Sequence, residues 1–559
     1  MEFGIAYPSV QLADHIQPGE SMTISKAALL LSAYPNREHW VHNSEYDMLS
    51  DGLAAAKNEA SERSKATSAT TKPQTLRSDP REVPSKRPNE SEYWASSSSS
   101  SSSGNGGGQT KVKIYSDYSL VLDLVAKEEP NNGVGPFTSR FEFVNDKTDA
   151  DFLLILEHVK DFMELPSHQR VCQFPFEGGI VRKDLLPLTV RKYCYSDSVF
   201  SNNSSSGCNQ KGNMSIPPYW WLPCYDLSTE FHMFAWEYEK NEKQQIKETS
   251  DAYRNSWIVK PAQMAQAQGH MVFPQESTCL KDIAIFVQES ATLPKSSGGD
   301  KVAQKLVRKP ALIRHRKMDL RVAVVVRSFA APFEAYMSEY FYARLANNAY
   351  NESELTDPET VLTVNAYNEN ELIAGKQERE SYEGLATALG LDDYVTDDRT
   401  GKKVQRFTLV EEAIVRVMSH LFSGAGRSIG NWPKSSAYYC VDIILDWDYD
   451  NIDIGTGNSN DCDRCDNMFH TGWFKKMSIP VPKLIEVNYM GDLHAFEMAM
   501  QFSPPRDATQ DITAFHTWAA DLIHCTVSSE YNPCGFIRLM DHFATESVSI
   551  FTTRSTSQM

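Results

Sequence analysis

The sequence predicts an α+β protein whose ordered part begins near residue 111. Three features carry that expectation. Between residues 111 and 155, short strand-like runs alternate with one helical run. Farther along, apolar runs such as DLRVAVVVRS, AYYCVDIILDWD and VPKLIEVNYM have the composition of buried strands. From Thr408, apolar residues recur at three-and-four spacing, the stripe of a packed helix.

The chain has 559 residues, more than one hydrophobic core covers, so about two to four domains are expected. Residues 1–56 read as a partly ordered N-terminal segment with a short helix near residues 24–33. From 57 to 110 Lys, Glu, Ser, Thr and Pro dominate, serine fills every position from Ser96 to Ser103, and GNGGG follows. Such a segment buries too little surface to offset its chain entropy, which predicts a disordered N-terminal linker. Residues 111–215 then form a small α/β subdomain, and 216–559 the subdomains that follow.

In that first subdomain KVKIYSD reads as a strand, YSLVLDLVAKE as a helix, RFEFV as a second strand and FLLILEHV as a buried strand. Residues 230–251 are charged and helical in character. A second block reads as strands in SWIVKPA, IAIFVQE, DLRVAVVVRS and FEAYMSEYFYAR. Residues 351–405 are polar and irregular, with one short helix. The helix after Thr408 sets Leu409, Ala413, Val417 and Leu421 beside Val410, Ile414, Met418 and Phe422. Two strands flanking a polar insertion and a helix near 512–529 complete the chain.

Charge narrows the function classes. Lys and Arg number 55 against 73 Asp and Glu, a formal charge of −18. A protein this acidic is a poor general ligand for nucleic acid or anionic membrane, so neither is expected as a partner, and an anionic partner requires a local basic patch. Ten cysteines are scattered through the chain, unlike a secreted disulfide framework. The N-terminus shows no basic start with an apolar run, and no stretch approaches the roughly 20 apolar residues that span a bilayer. A cytoplasmic monomer with reduced thiols is expected, with a cytoskeletal association or a nuclear fraction as further possibilities.

Three constellations carry chemistry. In a strand, Lys317, Asp319 and Arg321 share one face, and Met318, Leu320 and Val322 the other. Three charges on one strand face are costly in an ordinary core, but they suit a polar cleft where cations meet phosphates. A face open to water is the competing reading, and the apolar continuation VAVVV favours the cleft. Second, Asp442 interrupts the apolar run YYCVDIIL, and Glu486 and Asn488 share a face in LIEVNYM. Two carboxylates and an amide make an all-oxygen set suited to Mg²⁺ held with nucleotide phosphates. Polar residues satisfied by neighbouring backbone are the alternative; three together favour the metal. Third, Lys260 ends the strand SWIVKP, from which a lysine reaches a phosphate as a point charge.

WIVKP, KMDLR, Arg344 in YARLANNAY, the CVD at Asp442 and IEVN occur in the order seen in tubulin–tyrosine ligase-like proteins. QFPFEGGIVRKDLL with Lys183, and ADFLLILEHVKDF before it, strengthen the likeness, which covers about 400 residues by motif concurrence. The chain thus resembles that family. The resemblance implies an ATP-grasp type ligase domain, preceded by the small α/β subdomain. It implies an enzyme that uses ATP and Mg²⁺ to activate a carboxylate as an acyl phosphate, which an amine then attacks. Lys183, Lys260 and Gln288 would contact ATP. Asp442, Glu486 and Asn488 would contact both ATP and Mg²⁺. Lys317, Asp319, Arg321 and Arg344 would line the phosphate and acceptor-carboxylate site. The implied partner is the C-terminal tail of tubulin or another acidic protein tail. The stretch from Lys301 to Lys317 holds Lys301, Lys305, Arg308, Lys309, Arg314, Arg316 and Lys317 and no acid, a patch that would attract such a tail.

Two segments depart from the family pattern. The run after Lys260-Pro261, AQMAQAQGHM, holds only Gly269 where a Gly-rich loop would let backbone amides approach phosphate. The adenine hinge, placed at IAIFVQES, has Phe286 and Val287 where the family carries a lysine before an aromatic residue. These departures motivate the alternative, a catalytically inactive pseudo-ligase that binds tubulin or another tail and regulates tubulin or chromatin modification. Finally, Cys462 and Cys465, with His470 nearby, form half a zinc motif. His524, Cys525 and Cys534 are the candidates for completing it, but a loop with free thiols is the preferred reading.

Overall fold

A computed structural model describes residues 111–541, except 129–134, 196–216, 248–254, 264–268, 275–278, 294–298, 364–377, 450–470, 502–507 and 529–534. The N-terminal segment, the linker, and Cys462, Cys465, His470 and Cys534 lie outside the described residues.

The first sheet is small and parallel. Strand β1 (Val112–Ser116) leads through helix α1 (Ser119–Glu128) to β2 (Phe141–Phe143), which runs parallel to β1 as a helical crossover permits. β3 (Phe152–Leu154) and β4 (Arg170–Val171) add on the other side, also parallel. Only three residues of FLLILEHV pair in the sheet, and Leu156 beyond them is exposed. Helices α2 (Gly178–Val181) and α3 (Leu186–Tyr193) follow.

The second sheet is antiparallel, in the order β5 (Cys224–Asp226), β8 (Lys301–Lys305), β6 (Trp257–Pro261), β7 (Met271–Phe273). Trp257, Val259, Ala303 and Phe273 form one apolar face. Helix α4 (Phe231–Lys247) covers it with Phe234 and Tyr238. The second covering element corrects the sequence reading. IAIFVQE is not a strand but part of helix α5 (Leu280–Ser290). Its apolar residues Leu280, Ile283, Phe286 and Val287 pack at three-and-four spacing, and Ile285 is exposed. The Cys279 amide donates to Asp282 at 2.8 Å, which caps the first turn.

The largest sheet runs β12 (Arg379–Glu380), β11 (Glu334–Leu345), β10 (Arg316–Ser328), β15 (Ala437–Asp446), β16 (Val481–Tyr489), with β17 (Phe536–Arg538) on β11 and β9 (Leu312–Ile313) on β10. All of its pairings are antiparallel. Every residue of β15 is buried, so this strand is covered on both faces. Helix α6 (Arg406–Ala425) buries Leu409, Val410, Ala413, Ile414, Val417, Met418, Leu421 and Phe422, the stripe expected from the sequence. Helices α7 (Leu493–Gln501) and α8 (Ala508–Val527) contribute Phe496, Ala519, Ile523 and Cys525 to the same core. The 351–405 region holds more structure than expected: helices at Pro358–Val361 and Tyr382–Ala388, and a hairpin of β13 (Tyr394–Thr396) with β14 (Lys403–Gln405).

Among the described residues no helix is long and apolar enough to cross a membrane. Cys172, Cys194, Cys224, Cys279, Cys440 and Cys525 are free thiols.

One close approach fixes how the chain leaves β16. A Cβ on Gly491 would lie 2.3 Å from Sγ and 2.4 Å from Cβ of Cys440, and the Gly491 carbonyl accepts from Tyr118 at 3.3 Å. Gly491→Ala is therefore expected to destabilise the fold by about 1–3 kcal/mol, as overpacking does. Urea unfolding checks this, and an unchanged midpoint would show that the backbone there has room to move.

Candidate active site

Cross-strand register assembles the charged face. On β10, Asp319 stands opposite Arg344 of β11, and Arg321 stands opposite Asp442 of β15. Asp442 in turn faces Glu486 of β16, next to a bulge that shifts the register after Asp442. Arg344 grips Asp319 with two bonds of 2.7 Å. Arg321 grips Asp442 at 2.9 and 2.8 Å, and Arg344 reaches the same Asp442 at 2.9 Å. Thr363 donates to Asp319 at 2.5 Å. Bidentate pairing in this fork geometry is what makes buried charges tolerable.

The cations lie on the β16 side. Lys183, in the turn after α2, has its Nζ 3.6 Å from Glu486, and α2 packs on β16. Lys260 donates to Oε1 of Gln304 at 2.7 Å. Burial pushes the Glu486 carboxyl up, but Lys183, Lys260, Arg344 and Arg321 outweigh it and hold its pKa at about 2. Burial, with Lys260 adding and Asp319 opposing, pulls Lys317 down to about 8. Beside these groups lies a partly open cleft. Its walls combine Val181, Trp221, Val302 and Val487 with Lys183, Lys260, Gln304 and Glu486. The lining thus joins apolar side chains to a few convergent charged groups, the composition of ligand sites.

The sequence residues thus converge in large part. Lys183, Lys260 and Glu486 line the cleft, and Asn488 sits with Asp442 and Glu486, its Nδ2 at 3.2 and 3.4 Å from them. Gln288 does not converge. It lies on α5, which packs on the Trp257–Val259 face of β6, while Lys260 and Gln304 occupy the cleft face. The strand beside Lys260 in the sheet is β8. Gln304 faces the cleft, and Lys305, on the other face of the strand, has Glu237 and Lys240 of α4 as its charged neighbours. The IAIFVQES segment, helical and packed on the far face, does not line the cleft. The signal was present in KVAQKLV, where Gln304 alternates with the apolar Val302.

The basic stretch is also corrected. Arg308 pairs with Asp448 at 3.4 Å, Arg314 with Glu378 and Glu380 at 3.0 and 2.5 Å, and Arg316 with Glu378 at 3.1 Å. Lys301 and Lys317 are buried. These charges are matched internally rather than displayed as a patch. Of the zinc candidates, Cys525 is buried in α8, where its Sγ accepts from Arg327 at 3.7 Å and its carbonyl from Arg327 at 2.7 Å.

Among the described residues no cluster of three or more His, Cys, Asp or Glu side chains can hold a metal alone. The set Asp442, Glu486 and Asn488 has the oxygen chemistry Mg²⁺ takes. Glu486 is held as an anion, and a turn of the Asn488 amide would exchange its nitrogen for its oxygen. Asp442 is the tightest of the three, since both of its oxygens already accept from guanidinium groups.

The model of the tubulin-tyrosine ligase family matches residues 161–452, just over half of the chain. The chain belongs to the tubulin-tyrosine ligase family. Its α+β fold is therefore of the ATP-grasp type. It is 24% identical over 323 residues to human tubulin–tyrosine ligase-like protein 12, covering 55% of this chain and 42% of the relative. The protein of the same name from Caenorhabditis elegans is 26% identical over 265 residues, 45% of this chain and 32% of the relative. Tubulin glycylase 3D of Tetrahymena thermophila is 22% identical over 195 residues, 35% of this chain and 18% of the relative. The chain spans less than half the length of each of these family members.

The depressed pKa of Glu486 has a consequence for stability. A carboxyl whose folded pKa lies below its unfolded value of about 4.5 stabilises the fold above that value, and the contribution is lost as pH falls through the folded pKa. Between about pH 4.5 and pH 2, Glu486→Gln is therefore expected to flatten the loss of stability seen in the parent chain. Unfolding midpoints across that range test it. Parallel curves for the two proteins would mean the carboxyl is not held by the surrounding cations.

Proposed function

We propose that this chain is an ATP- and Mg²⁺-dependent ligase that adds an amino acid to the C-terminal tail of tubulin, in the cytoplasm where tubulin is found. The observation that carries the reading is Glu486, kept anionic by Lys183 and Lys260, with all three lining one cleft. Family membership supports the tubulin-modifying chemistry, and relatives of this chain carry names for tubulin ligation and glycylation.

The chemistry follows from charge. A carboxylate attacking the terminal phosphorus of ATP brings two anions together, and the barrier falls when fixed cations surround them. Lys183 and Lys260 supply such cations at the cleft, and Lys317 a third on β10. Mg²⁺, held by Glu486 and Asn488 with Asp442, would neutralise phosphate charge during transfer. Arg344 and Arg321 stand paired with Asp319 and Asp442, which orients their guanidinium forks beside the place where an acceptor carboxylate is to be held. Attack of the carboxylate on the terminal phosphorus breaks the bond to the β-phosphate oxygen, releasing ADP and leaving an acyl phosphate; attack of the incoming amine on the acyl carbon then forms the amide and releases phosphate and a proton.

A second reading has its own support. Within residues 262–271 Gly269 is the sole glycine, so few backbone amides are free to close on phosphate. On this reading the chain binds a tail without turnover.

Incubation with ATP, Mg²⁺, detyrosinated tubulin and labelled amino acids separates the two. The ligase reading expects incorporation that is lost on Mg²⁺ chelation and falls by at least about a hundredfold in Lys260→Ala, the scale of losing a preorganised charge contact. A nucleotide-induced rise in melting temperature without incorporation would favour the binder. Absence of both would remove the enzyme reading.

A further inference from the structure

The β6–β7 hairpin sets a histidine across from Lys260, a residue that lines the cleft. Its register pairs Val259 with Met271, so Lys260 and His270 stand opposite one another at the next step. Gly269 keeps that alignment: its φ is +65°, and a Cβ there would lie 3.1 Å from the Pro261 ring. Residues directly opposed in an antiparallel pair project from the same face. For Lys260 that face is the cleft, which it lines together with Gln304 and Glu486. The Nε2 atom of His270 is shielded from water and has no hydrogen-bond partner among the described residues. A shielded ring nitrogen left without a partner calls for an explanation, and a bound ligand atom supplies one.

Three charged groups bear on this ring. They are Lys260 on β6, Lys183 after α2, and Lys301 on β8, whose ammonium lies 5.2 Å from the centre of the Phe286 ring. Burial first, then these three cations, hold the imidazole well below its ordinary pKa, so the free protein carries it neutral. A polyanion entering the cleft would offset the charges of Lys260 and Lys183 and reverse that balance. The ring would then take up one proton from solvent, with no covalent bond made or broken.

We infer that His270 is a phosphate-binding residue of the nucleotide site, donating from Nε2 to the phosphate chain of ATP. The assignment rests on the nucleotide site of the proposed ligase, and it adds a contact to the phosphates that MgATP has and AMP lacks.

Calorimetric titration of the full chain with MgATP and with AMP tests this, at pH 6.5 and 8.0, in two buffers of different ionisation enthalpy. The parent chain is expected to bind MgATP more tightly at pH 6.5 and to take up more protons than His270→Asn or His270→Ala. Both variants are expected to lose about tenfold in MgATP affinity at pH 6.5, the scale of one charge-assisted bond. Their AMP affinity is expected to stay unchanged, which also certifies that they are folded. Equal losses for AMP and MgATP, or equal proton uptake in parent and variants, would overturn the assignment. Absence of any nucleotide binding by the parent chain would overturn it together with the site it rests on. MgATP binding with the expected proton uptake but no amino-acid incorporation would uphold His270 and reject only the ligase activity.

Discussion

Asp442 sits in the middle of a strand in which every residue is buried, and its charge is tolerated there because Arg321 and Arg344 both bond to it. Arg344 is itself fixed by Asp319, so one chain of paired charges ties β11, β10 and β15 together. Each member alone would be a buried unpaired ion. Together they fix the register of the central sheet and set the face on which Glu486, Asn488 and Lys317 are displayed. The same arrangement limits the site. Guanidinium groups already engaged by carboxylates orient an incoming anion, but they must share their donors with it.

The electrostatics of the β16 side follow from that frame. Glu486 faces Asp442 across two strands, an arrangement that would be repulsive without compensation. Lys183 and Lys260 supply the compensation, one from the turn after α2 and one from the end of β6. The cleft is thus a junction of elements of different character: apolar walls, lysines, and carboxylate and amide oxygens.

Much of this face was legible in the sequence because strand alternation is local. KMDLR, the lone Asp442 in an apolar run, and IEVN each announce a polar position in an otherwise buried strand. Their partners were not legible. The bonds that hold Asp319 and Asp442 join residues 25 and 121 positions apart, and register is set by tertiary pairing. The basic stretch failed for the same reason, since a count of charges in 301–317 omits Glu378, Glu380 and Asp448, which fold back against it. The IAIFVQES segment failed differently. Short apolar runs fit a strand or a helix equally well, and the deciding cue was Asp282 three residues after Cys279, a cap. That one misreading put Gln288 at the cleft, where the structure has Gln304 of β8.

The stability of Asp442 variants tests the paired-charge frame most directly. Asp442→Ala leaves two buried guanidinium groups with a partner missing and is expected to cost about 3–5 kcal/mol in urea unfolding. Adding Arg321→Met to it should recover at least about 1 kcal/mol, because the two residues act as one unit. A single-variant loss within about 0.5 kcal/mol, the size of an ordinary surface change, or strictly additive losses in the pair, would contradict the account.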